Sequence, residues 1–177
     1  SEEEELKKLL DRVRERVERS LDEIRRLARE VEEHVKKVND DIRRLLDEIR
    51  REVEDIERRV KDKDVLKKLR EVLDEIEKLV RKVLEESTRS LEKARELVKK
   101  ALERNERLLE EIEKLARDIP AGDEVRELVR TLEERIDDST REVKKLIEDL
   151  KRENKRILDT VRDLVRRLRE KIKRIAD

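Results

Sequence analysis

Apolar residues recur every eighteen residues through the middle of the chain, and this period constrains the fold more than any other feature. The leucines at this spacing form three sets: Leu66, Leu84 and Leu102; Leu73, Leu91 and Leu109; Leu79, Leu97 and Leu115. Eighteen residues complete five helical turns, so each set lies along one side of a helix. A helix with one apolar stripe needs partners to cover it, and both flanking segments carry the same repeat. The sequence therefore predicts long amphipathic helices that pack side by side.

The first segment shows the same stripe, which advances by 3.6 residues per step. Its predicted core positions are Leu6, Leu10, Val13, Val17, Ser20, Ile24, Ala28, Val31, Val35, Val38, Ile42, Leu45, Ile49, Val53, Ile56 and Val60. A seven-residue repeat would favour a left-handed supercoil, and an eleven-residue repeat a right-handed one. Because seven and eleven together make eighteen, the two tendencies cancel. We therefore predict nearly straight, untwisted helices, each roughly 80 Å long at 1.5 Å per residue.

The first helix start and the first break carry capping signals. Ser1 precedes a run of glutamates and can form a capping box with Glu4. The break at residues 61–64 has room only for a tight antiparallel reversal. Asp64 is the predicted N-cap of the second helix, and Asp62 is the alternative.

The second break, at residues 119–123, is more strongly marked. Pro120 cannot continue a helix, Gly122 suits a turn, and Asp123 is the predicted cap of the third helix. The predicted helices cover residues 2–61, 65–118 and 124–176. Three segments of nearly equal length and two short connections indicate an all-α fold. We predict one domain, an up-down-up antiparallel three-helix bundle.

Composition excludes several classes of protein and of partner. Lys plus Arg equals Asp plus Glu, 51 against 51, which argues against nucleic acid as a partner. The chain has no Phe, Tyr, Trp, Met or Cys, so neither a disulfide frame nor a thiolate metal site is expected. No apolar run approaches the ~18 residues of a membrane span, and no signal peptide is evident. We predict no membrane partner, and the cellular location stays undetermined.

Polar residues that occupy apolar phases of the repeat are the candidate site. They are Ser20, Asn39, Ser87, Ser90, Asn105, Ser139, Thr140 and Asn154. The positions of the breaks predict which residues lie at the same height in an antiparallel bundle. Asn39 falls beside Ser87, which faces Asn154, and Ser20 faces Asn105.

The predicted heights gather these residues into two cross-sections, with Ser139 and Thr140 one turn from the level of Asn105. Two buried hydrogen-bond networks would explain this placement, since an unpaired buried amide penalises the wrong register. The alternative is that these side chains lie at the edge of the stripe and are hydrated.

No catalytic, metal-binding or cofactor-binding residues are predicted. His34 shares its phase with Arg16 and Glu52, which places it at the core boundary, near the level of Asn39 or Ser90. A metal site in a helical bundle needs several inward-facing ligands, and this chain has one histidine. Enzyme motifs such as a glycine-rich phosphate loop or a nucleophile elbow are missing, so we do not expect an enzyme.

The phase-locked leucines, the all-aliphatic core, the two short breaks and the Asn/Ser layers resemble computationally designed, untwisted three-helix bundles with buried hydrogen-bond networks. The resemblance covers the whole chain. It implies a stable structural scaffold with no natural biochemical activity, no cofactor and no required partner, most simply a monomer.

Other classes stay open. An oligomerisation or interaction module could use the same stripe between chains, as a homo-oligomer or a domain-swapped assembly. Exchangeable apolipoproteins also use long amphipathic helices. Those helices bury aromatic and leucine-rich faces in a lipid interface, and this chain has no aromatic residues. A spectrin-like repeat would have helices about half as long and usually a tryptophan in its core.

Overall fold

The computed structural model describes residues 1–177, of which 95% are helical. The three helices are α1 (Glu2–Arg59), α2 (Lys63–Arg117) and α3 (Gly122–Ala176). There are no strands, and the three helices pack against one another. The predicted fold class, an all-α three-helix bundle, is confirmed.

The start of α1 has the predicted capping geometry. The backbone N–H of Glu4 donates to Ser1 Oγ at 3.4 Å, and the Glu4 carboxylate lies 3.6 Å from the terminal ammonium. Four consecutive glutamates occupy the first turn, where the positive end of the helix dipole stabilises negative charge. The N-terminus of α1 is therefore satisfied by local interactions.

The first reversal lies two residues earlier than predicted. Helix α1 ends at Arg59 rather than at residue 61, and α2 begins at Lys63 rather than at residue 65. The N–H of Asp64 donates to Asp62 Oδ1 at 2.9 Å, so Asp62 is the N-cap. The prediction of Asp64 as the cap is wrong, and its alternative is correct, because the helix starts at Lys63, two residues before the apolar stripe begins at Val65.

The second reversal also differs from the prediction. Helix α2 ends at Arg117 and α3 begins at Gly122, two residues before the predicted start. The N–H of Val125 donates to the carbonyl of Ala121 at 3.1 Å, so α3 begins after Ala121, and Asp123 lies inside the first turn. Gly122 does not have a positive φ, so its predicted role as a turn glycine is wrong.

The chain divides into two compact units. Unit 1 comprises residues 1–31 and 92–149, and unit 2 comprises residues 32–91 and 150–177. Unit 1 therefore joins the first half of α1 to the second half of α2 and the first half of α3. Within unit 1 the ion pairs Arg104–Glu142 and Glu111–Arg135 show that α2 and α3 run antiparallel. Within unit 2 the ion pairs Arg50–Glu77 and Arg70–Glu57 show the same for α1 and α2.

Each unit has its own aliphatic core. The largest fully buried side chains of unit 1 are Leu10, Val13, Val17, Ile24, Ile112, Ile136 and Ile147, and those of unit 2 are Ile42, Ile49, Leu69, Ile76 and Ile172. Four positions of the predicted α1 stripe are half-buried rather than buried: Ala28, Leu45, Ile56 and Val60. Beside the first two, the neighbouring Leu27 and Leu46 are buried instead. The buried stripe is more than one residue wide, and the choice between adjacent positions is made by packing.

On α2 the most buried phase of the repeat contains Leu69, Ser87 and Asn105, which are at most 1% exposed. By contrast, the leucines that define the repeat in the sequence lie mostly at the edge of the core, and Leu97 is 38% exposed. Two polar residues therefore occupy the line of α2 where burial is greatest. This placement makes them candidates for a specific role.

Candidate functional site

Unit 1 contains a buried polar cluster formed by Ser20, Asn105 and Thr140, one residue from each helix. Ser20 and Asn105 are buried, and Thr140 is half-buried. Asn105 Nδ2 donates to Ser20 Oγ at 2.8 Å, and Ser20 Oγ lies 2.6 Å from Thr140 Oγ1. We call these three residues the unit 1 cluster.

The direction of the hydrogen bonds in the unit 1 cluster follows from counting protons. Thr140 Oγ1 donates to the carbonyl of Ile136 at 3.1 Å, which uses its single hydroxyl proton. Ser20 must then be the donor to Thr140, and it accepts from Asn105. The result is a chain of three hydrogen bonds, all oriented from α2 to α1 to α3. Hydrogen bonds in such a chain polarise and strengthen one another.

Unit 2 contains the second buried polar cluster, formed by Asn39, Ser87 and Asn154, again one residue from each helix. Ser87 Oγ lies 3.0 Å from Asn39 Oδ1 and 3.3 Å from Asn154 Oδ1, so its single hydroxyl proton is shared between the two amide oxygens. Ser87 and Asn154 are each 1% exposed, and Asn39 is half-buried. Asn154 Nδ2 donates to the carbonyl of Leu150 at 3.2 Å, so both ends of this amide have partners. We call these three residues the unit 2 cluster.

The structure brings together most, but not all, of the candidate site residues. Six of them form the two clusters. Five meet at the heights predicted from the breaks, and Thr140, predicted one turn from the level of Asn105, contacts Ser20 directly. Ser139 is buried, but its Oγ has no hydrogen-bond partner. Ser90 is half-buried and belongs to neither cluster. Ser139 is adjacent to Thr140 in sequence, and Ser90 is one turn from Ser87. The repeat places all four residues near the core and therefore could not show which hydroxyls would find a partner.

His34 is half-buried on α1, and its Nε2 is buried without a hydrogen-bond partner. This atom therefore forms no hydrogen bond with Asn39 or Ser90. The threonines that lie outside the apolar phase are exposed. Each of them returns its hydroxyl to the backbone carbonyl four residues earlier: Thr88 to Leu84, Thr131 to Glu127 and Thr160 to Arg156.

Ion pairs between helices occur in both units. In unit 1, Arg16 of α1 is 2.7 Å from Asp137 and 3.3 Å from Glu133, one turn from the Ser20–Thr140 hydrogen bond. In unit 2, Arg169 of α3 contacts both Glu48 and Glu52 at 3.1 Å. Each such pair is partly exposed and contributes little alone. These partners could not be predicted from the sequence, because charged residues occupy almost every outward position.

Two titratable groups near the unit 1 cluster are perturbed, Glu23 and Arg26, and their mutual hydrogen bond also raises the pKa of Arg26. The hydrogen bond from Arg26 holds the pKa of the Glu23 carboxyl below its ordinary value of 4.5. Burial acts in the opposite direction, and the charges of Arg26 and Lys144 reinforce the lowering. Arg26 contacts both Glu23, at 2.7 Å, and Glu30, at 3.2 Å, on the surface of α1.

The chemistry available to the two clusters is that of neutral hydroxyls and amides. Ser20 and Ser87 bond to Asn and Thr side chains, and neither is hydrogen-bonded to a histidine or carboxylate base. No group of three or more His, Cys, Asp or Glu side chains is placed to hold a metal ion. None of the three helices is long and apolar enough to cross a membrane. Each cluster connects the three helices of its unit by hydrogen bonds between one side chain from each helix.

Comparisons with known proteins found no match to this chain among family models, curated proteins or solved structures.

Proposed function

We propose that this chain is a designed structural scaffold without a natural biochemical activity, in which the two polar clusters set the register and pairing of the helices. The observation that carries the proposal is that each cluster takes one residue from each helix. A shift of any helix by one turn would move about 5.4 Å of chain past its partners and separate these atoms. The composition and the eighteen-residue repeat described above support the designed origin.

The physical basis is a penalty on wrong arrangements. Aliphatic side chains tolerate many registers, because a leucine that is shifted by one turn meets other aliphatic side chains and packs against them almost as well. A buried amide left without a partner costs about 1–3 kcal/mol, so each misaligned arrangement loses stability that the aligned one retains. The clusters thus select one arrangement and do not need to add stability.

The test compares Ser87→Ala with the triple change Asn39→Leu, Ser87→Ala and Asn154→Leu. The single change leaves Asn154 Oδ1 buried without its donor. The free energy of unfolding, measured in guanidinium, should therefore fall by about 1–3 kcal/mol. The triple change removes all three polar groups, so stability should return to the parent value or exceed it. Size-exclusion chromatography with light scattering should then show mixed oligomers in place of one species.

A matched control replaces Thr88, Thr131 and Thr160 by alanine, since these exposed threonines bond only to their own helix. This variant should keep one species of the parent mass. If the unit 2 triple variant also stays a single species, the clusters do not set specificity.

The second candidate is a helical oligomerisation module. It is favoured by two large aliphatic side chains left on the surface of unit 1, Leu97 on α2 and Leu128 on α3, each 38% exposed. The same light-scattering measurement separates the two functions. The scaffold should give the mass of one chain, 21.5 kDa, at all concentrations, and the module should give a multiple of it.

A further inference from the structure

Unit 1 has a groove between α2 and α3 that the hydrogen bonds of its cluster do not fill. Its cavity volume is about 410 Å³, within the range of small-molecule sites. Asn105, Leu108 and Ser139 line the groove and are at most 7% exposed, so they form its floor. The floor therefore combines an amide, an aliphatic side chain and a hydroxyl.

Two polar atoms of this floor have no hydrogen-bond partner. They are Asn105 Oδ1, an acceptor, and Ser139 Oγ, which can donate or accept. In the unit 2 cluster, by contrast, the side-chain oxygens of Asn39, Ser87 and Asn154 all take part in hydrogen bonds. The unit 1 cluster thus keeps an unpaired atom beneath the groove, beside the unpaired Ser139 Oγ; both atoms have almost no accessible surface, so a ligand reaches them only after the side chains around them shift. A ligand that supplies one donor and one acceptor would complete it.

The rim of the groove carries no net charge. Its charged side chains are Arg104, Arg107, Arg135, Glu111, Asp138 and Glu142. Arg104 pairs with Glu142 at 3.3 Å and Glu111 with Arg135 at 3.9 Å, and both pairs cross from α2 to α3. An anion would meet three carboxylates here and a cation three guanidinium groups. The rim therefore favours an uncharged ligand.

We propose that this groove is a binding site for a small, uncharged aromatic primary amide. Its N–H donates to Asn105 Oδ1, and its carbonyl accepts from the Ser139 hydroxyl, which must change rotamer to face the groove. Its ring packs on Leu108, and the arginines of the rim lie over the ring face, a contact that guanidinium groups favour. The site is separate from the proposed scaffold role, because it uses the groups that the clusters leave unpaired.

The test is a titration of the full chain with benzamide, followed by ¹H–¹⁵N NMR. The side-chain amide of Asn105 and the backbone amide of Ser139 should shift together and saturate, with a dissociation constant in about the millimolar range for so small a ligand. Benzoate has the same ring but carries a charge and has no N–H donor. It should bind at least tenfold more weakly.

Three variants locate the site. Ser139→Ala removes the hydroxyl, keeps a good helix former, and should weaken benzamide binding at least tenfold. Ser139→Leu fills the groove and should abolish binding. Ser90→Ala makes the same change at a half-buried serine of unit 2 and should leave binding unchanged. The proposal is overturned if the shifts do not saturate or spread over the whole chain, or if the Ser139 variants bind like the parent.

Discussion

Ser20 of α1 and Thr140 of α3 are 120 residues apart in sequence, and their hydroxyl oxygens lie 2.6 Å apart in the core of unit 1. Ser20 also accepts from Asn105 of α2, so a single hydroxyl connects all three helices. Ser87 has the same position in unit 2, where it contacts Asn39 and Asn154. A serine is suited to this role, because its hydroxyl is both donor and acceptor and occupies little volume.

Ser20→Ala should lower the free energy of unfolding by about 1–3 kcal/mol. The change leaves Asn105 Nδ2 buried without its acceptor, while Thr140 keeps its bond to the carbonyl of Ile136. Chemical unfolding in guanidinium, followed by circular dichroism, measures the difference. Ser90→Ala is the control, and it should change stability by no more than ~0.5 kcal/mol. Equal effects of the two changes would mean that the Ser20 hydroxyl is not a connecting group.

Asp62→Ala should destabilise the protein by about 0.5–2 kcal/mol, because it removes the acceptor for the first free N–H groups of α2. Asp64→Ala is the matched change two residues later, inside the first turn, where the carboxylate interacts only with the helix dipole. It should cost less than the cap. Unfolding curves for the two variants decide between them, and a larger loss for Asp64 would contradict Asp62 as the cap.

Gly122→Ala should stabilise the protein by about 0.4–1 kcal/mol, since Gly122 is helical and alanine reduces the freedom of the unfolded chain. The added Cβ would overlap Glu2 Oε1, but this is the end of a flexible, exposed side chain that can move away. Thermal unfolding should show a higher midpoint. In a Glu2→Ala background the gain should be the same or larger. A loss of stability in both backgrounds would show that the backbone, rather than Glu2, resists the substitution.

The stability contributed by Glu23 should depend on pH. Its pKa in the folded chain lies below 4.5, so the contribution is present above pH 4.5 and is lost as the pH falls through the folded pKa. Glu23→Gln should therefore lower the urea midpoint at pH 7 and have no effect at the acid end of that window. Glu18→Gln, an exposed glutamate of the same helix, controls for the change in net charge. A difference between parent and Glu23→Gln that does not shrink as the pH falls below 4.5 would contradict the origin of the lowered pKa in Arg26.

The placement of the polar residues shows how far periodicity reaches. Ser87 and Asn105 follow Leu69 at eighteen-residue intervals, and this spacing alone put them on one line of α2. The two breaks gave the height at which each residue meets the other helices. Periodicity predicted the residues at which the helices begin and end less well. Ala121 has no capping side chain, yet α3 begins directly after it.

The sequence by itself determined the number of helices, their order, the face each one buries and the level at which Ser20 meets Asn105 and Ser87 meets Asn39 and Asn154. These follow from local geometry, because a helix repeats its side chains at a fixed angle and rise. Tertiary structure alone decided that Leu27 rather than Ala28 is buried, that Thr140 pairs with Ser20, and that Ser139 stays unpaired. Those outcomes depend on the distance between helices and on side-chain rotamers, which differ by a few ångströms at positions that the repeat treats as equivalent.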